Sequence, residues 1–174
     1  ELEYVEFTSY DDFDDFGYFG ADGYDSDDYI PDYELNDSDL DDAMFYYDEN
    51  DVWYDYDFEL DTLTFYADRN ADADTLAFDF TMHGVDGDKV YGTLYIEVGK
   101  DSGTSSKGDL TYQVDPDDDV TLDAEDFYDF FYDESDYDEL EYDAISRITG
   151  TKPETAKVNY HYAKEKIKEY MINN

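Results

Sequence analysis

Four oxygen-bearing side chains at alternate positions form the pattern in this sequence best suited to chemistry: Asp68, Asn70, Asp72 and Asp74. Calcium-binding loops place carboxylate and amide oxygens at such alternate positions, because calcium takes about six to eight oxygen ligands. Asp79 stands where a helix-flanked calcium loop has its last ligand, but Ala73 stands where that loop needs glycine. The pattern therefore leaves two interpretations open, a calcium site and an ordinary acidic turn.

Residue types that commonly carry catalysis are scarce. The chain has two histidines, His83 in a predicted turn and His161 in a predicted strand, and no cysteine. A serine triad would need one of these histidines, and no nucleophile-elbow sequence is present. Carboxylate pairs of the kind used in glycoside hydrolysis carry no information among 51 acidic residues. We therefore expect no enzymatic activity.

Acidic residues dominate the charge of the chain. Its 174 residues include 51 Asp and Glu against 10 Lys and Arg, a formal net charge of −41. A polyanion repels phosphate backbones, so we expect no nucleic acid as a direct partner. No apolar run is long enough to cross a bilayer, so we expect no membrane insertion. The 20% aromatic content distinguishes the chain from disordered acidic sequences and predicts a folded core.

Most of the basic residues lie towards the C-terminal end of the sequence. Residues 147–174 contain six of the ten: Arg147, Lys152, Lys157, Lys164, Lys166 and Lys168. With three acids among them this segment carries a formal charge of +3, which leaves −44 on residues 1–146. We expect such a segment to bind the polyanionic part of the chain, its own or that of a neighbouring copy. The alternative is a solvated helix terminus.

Short alternating runs bounded by Gly and Asp predict β-strands. The clearest runs are Leu63–Tyr66, Leu76–Phe80 and Val90–Val98, with a hairpin signal at Asp86-Gly87 between the last two. Tyr54, Tyr56 and Phe58 alternate with acids and predict one face of a further strand. Residues 9–32, with three spaced glycines, predict loops and short strands.

Two parts of the chain resemble repeats of very large Gram-positive bacterial surface proteins. Residues 63–98, LTFYADRNADADTLAFDF and HGVDGDKVYGTLYIEV, are similar to the second half of cadherin-like repeats, with an Asn/Asp loop, an aromatic strand and an xDGD turn. Residues 110–142, with VTLDA and a following helix that contains Asp-Phe, resemble the opening of repeats in proteins that often carry S-layer-anchoring domains. The resemblance implies an Ig-like module that is extracellular or at the cell surface, and it implies no particular chemistry.

The Gly/Ser-rich segment Gly99–Gly108 predicts a linker between two domains. Residues 1–98 then form one β-sandwich module, and residues 109–174 form a second, incomplete β module with a basic C-terminal tail. Asp123–Tyr132 predicts a short helix, because acids fill its first turn and its phenylalanines form one stripe. The predicted fold class is all-β: Ig-like antiparallel β-sandwich modules with a short helix and a helix-prone C-terminal tail.

A repeated motif suggests how the modules connect. The letters ELEY occur at residues 1–4 and again at residues 139–142, and in both copies apolar residues alternate with glutamates. This repeat predicts the same strand in two successive modules, although four matching letters also arise by chance in an acid- and tyrosine-rich chain. The first module would then lack strands and expose an edge for a neighbouring copy. The predicted assembly residues are the six bases named above together with Leu2, Tyr4, Phe7, Leu140 and Tyr142.

The predicted function is therefore structural. The chain would be a subunit of an extracellular fibre or surface layer, assembled head-to-tail from copies of itself by strand addition and by contacts between its acidic body and basic tail. The alternative, from a different class, is a calcium-dependent adhesion or ligand-binding module of a larger surface protein, with Ca²⁺ as its cofactor. A third interpretation is an acidic decoy that imitates nucleic acid and occupies a DNA-binding protein.

We predict that cations stabilise the folded chain, and that divalent cations do so most. Salt screens repulsion between carboxylates, and clustered carboxylates bind hard cations. Each kcal/mol of such stabilisation raises the Tm by about 2–4 °C for a chain of this size. Thermal unfolding in dilute buffer, in millimolar calcium and in molar sodium chloride tests this. A Tm that does not move would count against both screening and metal binding.

Overall fold

The computed structural model describes residues 1–26, 28–99 and 110–136, with side chains up to residue 134. The strands in these ranges are β1 (Leu2–Tyr10), β2 (Gly17–Asp25), β3 (Asp28–Leu35), β4 (Met44–Tyr46), β5 (Asp57–Glu59), β6 (Thr64–Ala67), β7 (Asp74–Gly84), β8 (Lys89–Val98), β9 (Leu110–Val114) and β10 (Asp119–Thr121). The α-helices are α1 (Asp37–Leu40) and α2 (Ala124–Asp136), and short 3₁₀ turns lie at Glu49–Asp51 and Leu60–Thr62.

All of these strands belong to one hydrogen-bonded sheet. The strand order is β10-β6-β2-β5-β4-β1-β7-β8-β9, with β3 paired to β2 beside this path. The structure is mostly β-strand, 53%, which confirms the prediction of a mostly β protein, and the sheet is nearly closed. It is mixed rather than purely antiparallel, because β4 pairs with β5 and β8 pairs with β9 in parallel.

Local sequence signals located several elements well. The Asp86-Gly87 signal lies in the turn between β7 and β8, where Gly87 has φ of 88° and its N–H donates to the carbonyl of Gly84 at 2.9 Å. The predicted helix is found as α2. Its N-terminus is capped by Asp123, whose Oδ1 accepts the N–H of Glu125 at 3.0 Å.

The glycine-rich region near the N-terminus differs from the prediction. Instead of loops and short strands, this region contains two long antiparallel strands that pair with each other, β2 with nine residues and β3 with eight. Gly23 lies inside β2 because the ring of Phe58 and the carbonyl of Asp57 occupy the space that a Cβ would need. A glycine in a strand thus marks a close approach of neighbouring groups, and here it does not mark a loop.

The interior is filled with phenylalanine rings. Phe19 is fully buried and lies at the centre of this cluster, with ring centroids at 5.1 Å to Phe65, 5.3 Å to Phe78 and 5.5 Å to Phe13. The arrangements are edge-to-face, which aromatic quadrupoles favour. The tyrosines mostly lie at the boundary of this core, half-buried, with their hydroxyls reaching outwards.

Residues 110–134 share the sheet and core of residues 1–99. Strand β9 pairs along its whole length with β8, and β10 pairs with β6. The ring centroids of Phe127 in α2 and Phe80 lie 5.6 Å apart. Residues 1–134 accordingly form one compact unit. The linker-like composition of the Gly/Ser segment predicted that β9, β10 and α2 belong to a second module. The structure differs because composition gives no information about which strands pair across such a segment.

None of the helices in the described part of the chain is long and apolar enough to span a membrane.

We predict that Phe19→Ala destabilises the fold by about 3–5 kcal/mol, because it removes a fully buried ring from a close-packed cluster. Urea unfolding at fixed salt measures this change. Tyr91→Ala is the matched control, since Tyr91 is 70% exposed and its replacement should change stability by less than about 0.5 kcal/mol. Equal effects of the two substitutions would contradict the assignment of the core.

Candidate functional site

The predicted calcium ligands lie on the exposed loop between β6 and β7. Two of their carboxylates are engaged by local backbone: Oδ1 of Asp68 accepts the N–H of Asn70 at 2.8 Å, and Oδ1 of Asp74 accepts the N–H of Thr75 at 2.8 Å. Asp72 is exposed beside them. The carboxylate oxygens of Asp68, Asp72 and Asp74 do not form a group within 4.8 Å of one another. The calcium interpretation of this loop stays a prediction.

One group of three carboxylates does meet within the described residues. Ligand atoms of Asp12, Asp14 and Asp37 lie within 4.8 Å of one another, in the segment after β1 and at the start of α1. Oδ1 of Asp37 is buried and has no hydrogen-bond partner. Burial, followed by repulsion from Asp14, Asp12 and Asp41, raises the pKa of the Asp37 carboxyl. No pattern in the sequence predicts this group, because its members are separated along the chain and no regular spacing connects them.

The predicted assembly strand at the start of the chain is an interior strand. β1 lies between β4 and β7 in the sheet, and Leu2 and Phe7 are buried in the core. Tyr4 is half-buried and stacks on His83, with ring centroids 4.3 Å apart. Within the described structure β1 is therefore paired on both sides at Tyr4 and Val5, so the start of the strand is not a free edge. The other predicted assembly residues lie outside the described residues: Leu140, Tyr142, Arg147, Lys152, Lys157, Lys164, Lys166 and Lys168.

Basic side chains are rare on the described surface. The basic side chains in its residues are Arg69 and Lys89, and Arg69 approaches Asp117 at 3.7 Å. Both partners of this ion pair are mostly exposed, so it contributes little to stability. His83 Nε2 lies 2.8 Å from Oε1 of Glu6. Ion pairs therefore neutralise very few of the carboxylates.

Tyrosine hydroxyls supply donors that cations would otherwise supply. The hydroxyl–carboxylate pairs are Tyr10–Asp41 (2.6 Å), Tyr29–Asp22 (3.0 Å), Tyr47–Glu125 (2.7 Å), Tyr66–Asp32 (2.9 Å) and Tyr112–Asp126 (2.5 Å). A phenol is a neutral donor, so each bond satisfies a carboxylate oxygen without changing the net charge. Counting tyrosines in the sequence could suggest this role, but only the fold shows which carboxylate each hydroxyl reaches.

An acidic cleft of about 430 Å³ opens between the start of β1, the turn at 48–51 and the start of α2. Its lining includes seven carboxylate side chains: Glu1, Glu3, Asp48, Glu49, Asp51, Asp61 and Glu125. Tyr47 also lines the cleft, where it donates to Glu125 and stacks on Tyr128 with ring centroids 5.0 Å apart. This chemistry suits a cationic group and repels an anionic one.

An exposed aromatic loop follows the cleft along the chain. Trp53, Tyr54 and Tyr56 are exposed by 63%, 72% and 48%. The sequence analysis expected Tyr54 and Tyr56 on the same strand face as Phe58. Only Asp57–Glu59 forms a strand, and Phe58 is buried while both tyrosines are exposed. The alternation fails because Tyr56 adopts φ of 70°, which turns the chain before β5.

Comparison of the chain with protein-family models, with curated proteins and with solved structures finds no match. The resemblance to Gram-positive surface repeats therefore stays a prediction.

Hydrogen bonds to carboxylates, together with burial, raise the pKa of the tyrosine hydroxyls. The bond to Glu125, followed by burial, raises the pKa of Tyr47 to about 12. Burial, followed by the bond to Asp32, raises the pKa of Tyr66 to about 12.

We predict that these tyrosines ionise late in the folded chain. In the unfolded chain their pKa is about 10. Because the folded pKa is higher, the associated stability is fully present below pH 10 and is lost as the pH rises through about 12. Ultraviolet absorbance of tyrosinate, followed against pH with and without urea, measures this, and Tyr47→Phe should remove one late-ionising group. A single native transition near the unfolded value would contradict the prediction.

Proposed function

We propose that this chain is a non-enzymatic structural subunit that assembles with copies of itself outside the cell or at the cell surface. In the assembly, the polyanionic surface of residues 1–134 of one copy binds the basic segment Arg147–Lys168 of the next. An Ig-like, cadherin-like origin of the module is part of this proposal, and it rests on the sequence resemblance alone.

The observation that carries the proposal is the lack of neutralising cations on the acidic surface. Residues 1–134 contain 43 acidic side chains and four basic ones, Arg69, Lys89, Lys100 and Lys107. Tyrosine hydroxyls bond several carboxylates but leave their charge in place. Complementary charge must then come from salt, from metal ions or from a basic partner, and the same chain carries a basic segment in every copy.

The structure changes the mode of contact that we favour. Strand addition at the start of β1 would need a free edge there, but β7 pairs with one side of β1 from Leu2 to Tyr10, and β4 pairs with Tyr4 and Val5 on the other side. The hairpin strand β3 is a poor substitute, because Pro31 within it has no N–H and the N–H of Asp32 donates to Oδ1 of Asp22 at 2.6 Å. We therefore propose that contacts between charged surfaces, and not strand addition at β1, join successive copies.

The second candidate function is a calcium-dependent adhesion or ligand-binding module. The observation that favours it is the Asp12, Asp14 and Asp37 group, with its buried, unpartnered Asp37 oxygen. Calcium would stabilise such a module without causing assembly. Sedimentation with and without calcium therefore separates the two functions, since an adhesion module stays monomeric in both.

We predict that removing Thr151–Asn174 abolishes assemblies and leaves most of the folded monomer, because five of the six bases of the segment are lost while residues 1–134 keep their core. Sedimentation velocity and electron microscopy at moderate salt measure assembly, and circular dichroism measures folding. Two full-length variants supply matched controls. Replacing the six bases by Gln should also abolish assembly, whereas replacing the five lysines by Arg should preserve it. Assemblies of undiminished length after the deletion would refute the proposal.

A further inference from the structure

The loop at Trp53–Tyr56, here called the aromatic loop, presents three large rings to solvent within four residues. Trp53 is the single tryptophan of the chain. Tyr91 of β8, also exposed, lies between Val90 and Gly92, and the exposed Tyr132 of α2 stacks on Tyr128 with ring centroids 6.5 Å apart. Tryptophan and tyrosine at such a site are the side chains most often found at the energetic centre of protein interfaces.

Hydrogen bonds to Asp57 and Met44 hold the backbone of the aromatic loop in place. Oδ2 of the buried Asp57 accepts the N–H of Tyr54 at 3.2 Å and that of Trp53 at 3.4 Å. The N–H of Asp57 donates to the carbonyl of Tyr54 at 2.9 Å, and the N–H of Met44 donates to the carbonyl of Tyr56 at 2.8 Å. Since these bonds fix the loop before any partner arrives, little conformational entropy is lost on binding.

The surroundings of the aromatic loop select a cationic partner. Asp55 lies within the loop and Asp51 lies two residues before it in the sequence; both are exposed, and Asp51 also lines the acidic cleft with Asp48 and Asp61. Ring faces attract ammonium and guanidinium groups, and carboxylates bind the same groups through charged hydrogen bonds. An anionic or purely apolar partner would meet repulsion or costly desolvation of these acids.

We propose that the aromatic loop and the adjoining acidic cleft bind the basic segment Arg147–Lys168 of a second copy of this chain. This inference rests on the proposed self-assembly and identifies where on the acidic surface it occurs. The segment supplies both kinds of group that the surface takes. Its six bases suit the carboxylates and ring faces, and its apolar side chains, Ile167 among them, can pack against the rings.

The test uses Trp53 as its own reporter. The protein is the full chain with the six bases of the segment replaced by Gln, so that its own segment does not compete, and the probe is a synthetic peptide of residues 147–168. We expect the peptide to change Trp53 emission in a saturable way. Tyr54→Ala in this protein should weaken binding at least about tenfold, as at an interface hot spot, while Tyr91→Ala leaves it unchanged.

The remaining outcomes separate this inference from the proposed function. Peptide binding by calorimetry with no change in Trp53 emission, or equal weakening by Tyr54→Ala and Tyr91→Ala, would overturn the inference but leave self-assembly standing. An equal response to spermine or to a scrambled peptide would mean that the surface takes any cation, and would also overturn it. No peptide binding, together with a monomeric wild-type chain, would overturn both proposals. Circular dichroism of each variant verifies that it is folded.

Discussion

Repulsion among carboxylates is the constraint on which the rest of this structure depends. Residues 1–134 contain 43 acidic side chains and four basic ones, so folding brings like charges together with little compensation inside the unit. Burial worsens the conflict at particular points. The pKa of Asp57 is raised by its burial, even though two backbone N–H groups bond its carboxylate. At neutral pH each such group opposes folding, because folding favours its protonated form.

Aromatic side chains offset this cost in two different ways. Phenylalanines fill the interior of a nearly closed sheet, and a fully buried ring such as Phe19 contributes about 1.5–3 kcal/mol through removal of apolar surface from water. Tyrosines occupy the boundary, where the ring packs inwards and the hydroxyl reaches a carboxylate, as Tyr66 reaches Asp32. In a chain with few lysines and arginines, phenylalanine thus supplies the buried apolar surface and tyrosine supplies hydrogen-bond donors for carboxylates.

The sequence predicted the elements whose signals are local. It did not predict features that depend on contacts between segments far apart in the chain. Alternation located β7 and β8, the Asp-Gly pair located their turn, and the acidic first turn with its phenylalanine stripe located α2. The pairing of β8 with β9, on either side of the Gly/Ser segment, depends on a long-range register that no local pattern encodes. For the same reason, no local pattern predicts that the carboxylates of Asp12 and Asp37 lie close together. The interior position of the first ELEY copy, at the start of β1, likewise depends on strand pairing and not on the motif itself.

A hydrogen bond from a phenol differs from an ion pair in one decisive respect. When Tyr47 donates to Glu125 the oxygen gains a partner, but the local charge stays negative, and the acidic cleft around it keeps its full attraction for cations. A protein that bonded these carboxylates with lysine and arginine would have as many hydrogen bonds, but its surface charge would be neutralised. This chain instead places six of its ten bases in Arg147–Lys168. Internal hydrogen bonding thus leaves a surface whose carboxylates are bonded and still negatively charged, which is the property that the proposed contact with a basic segment requires.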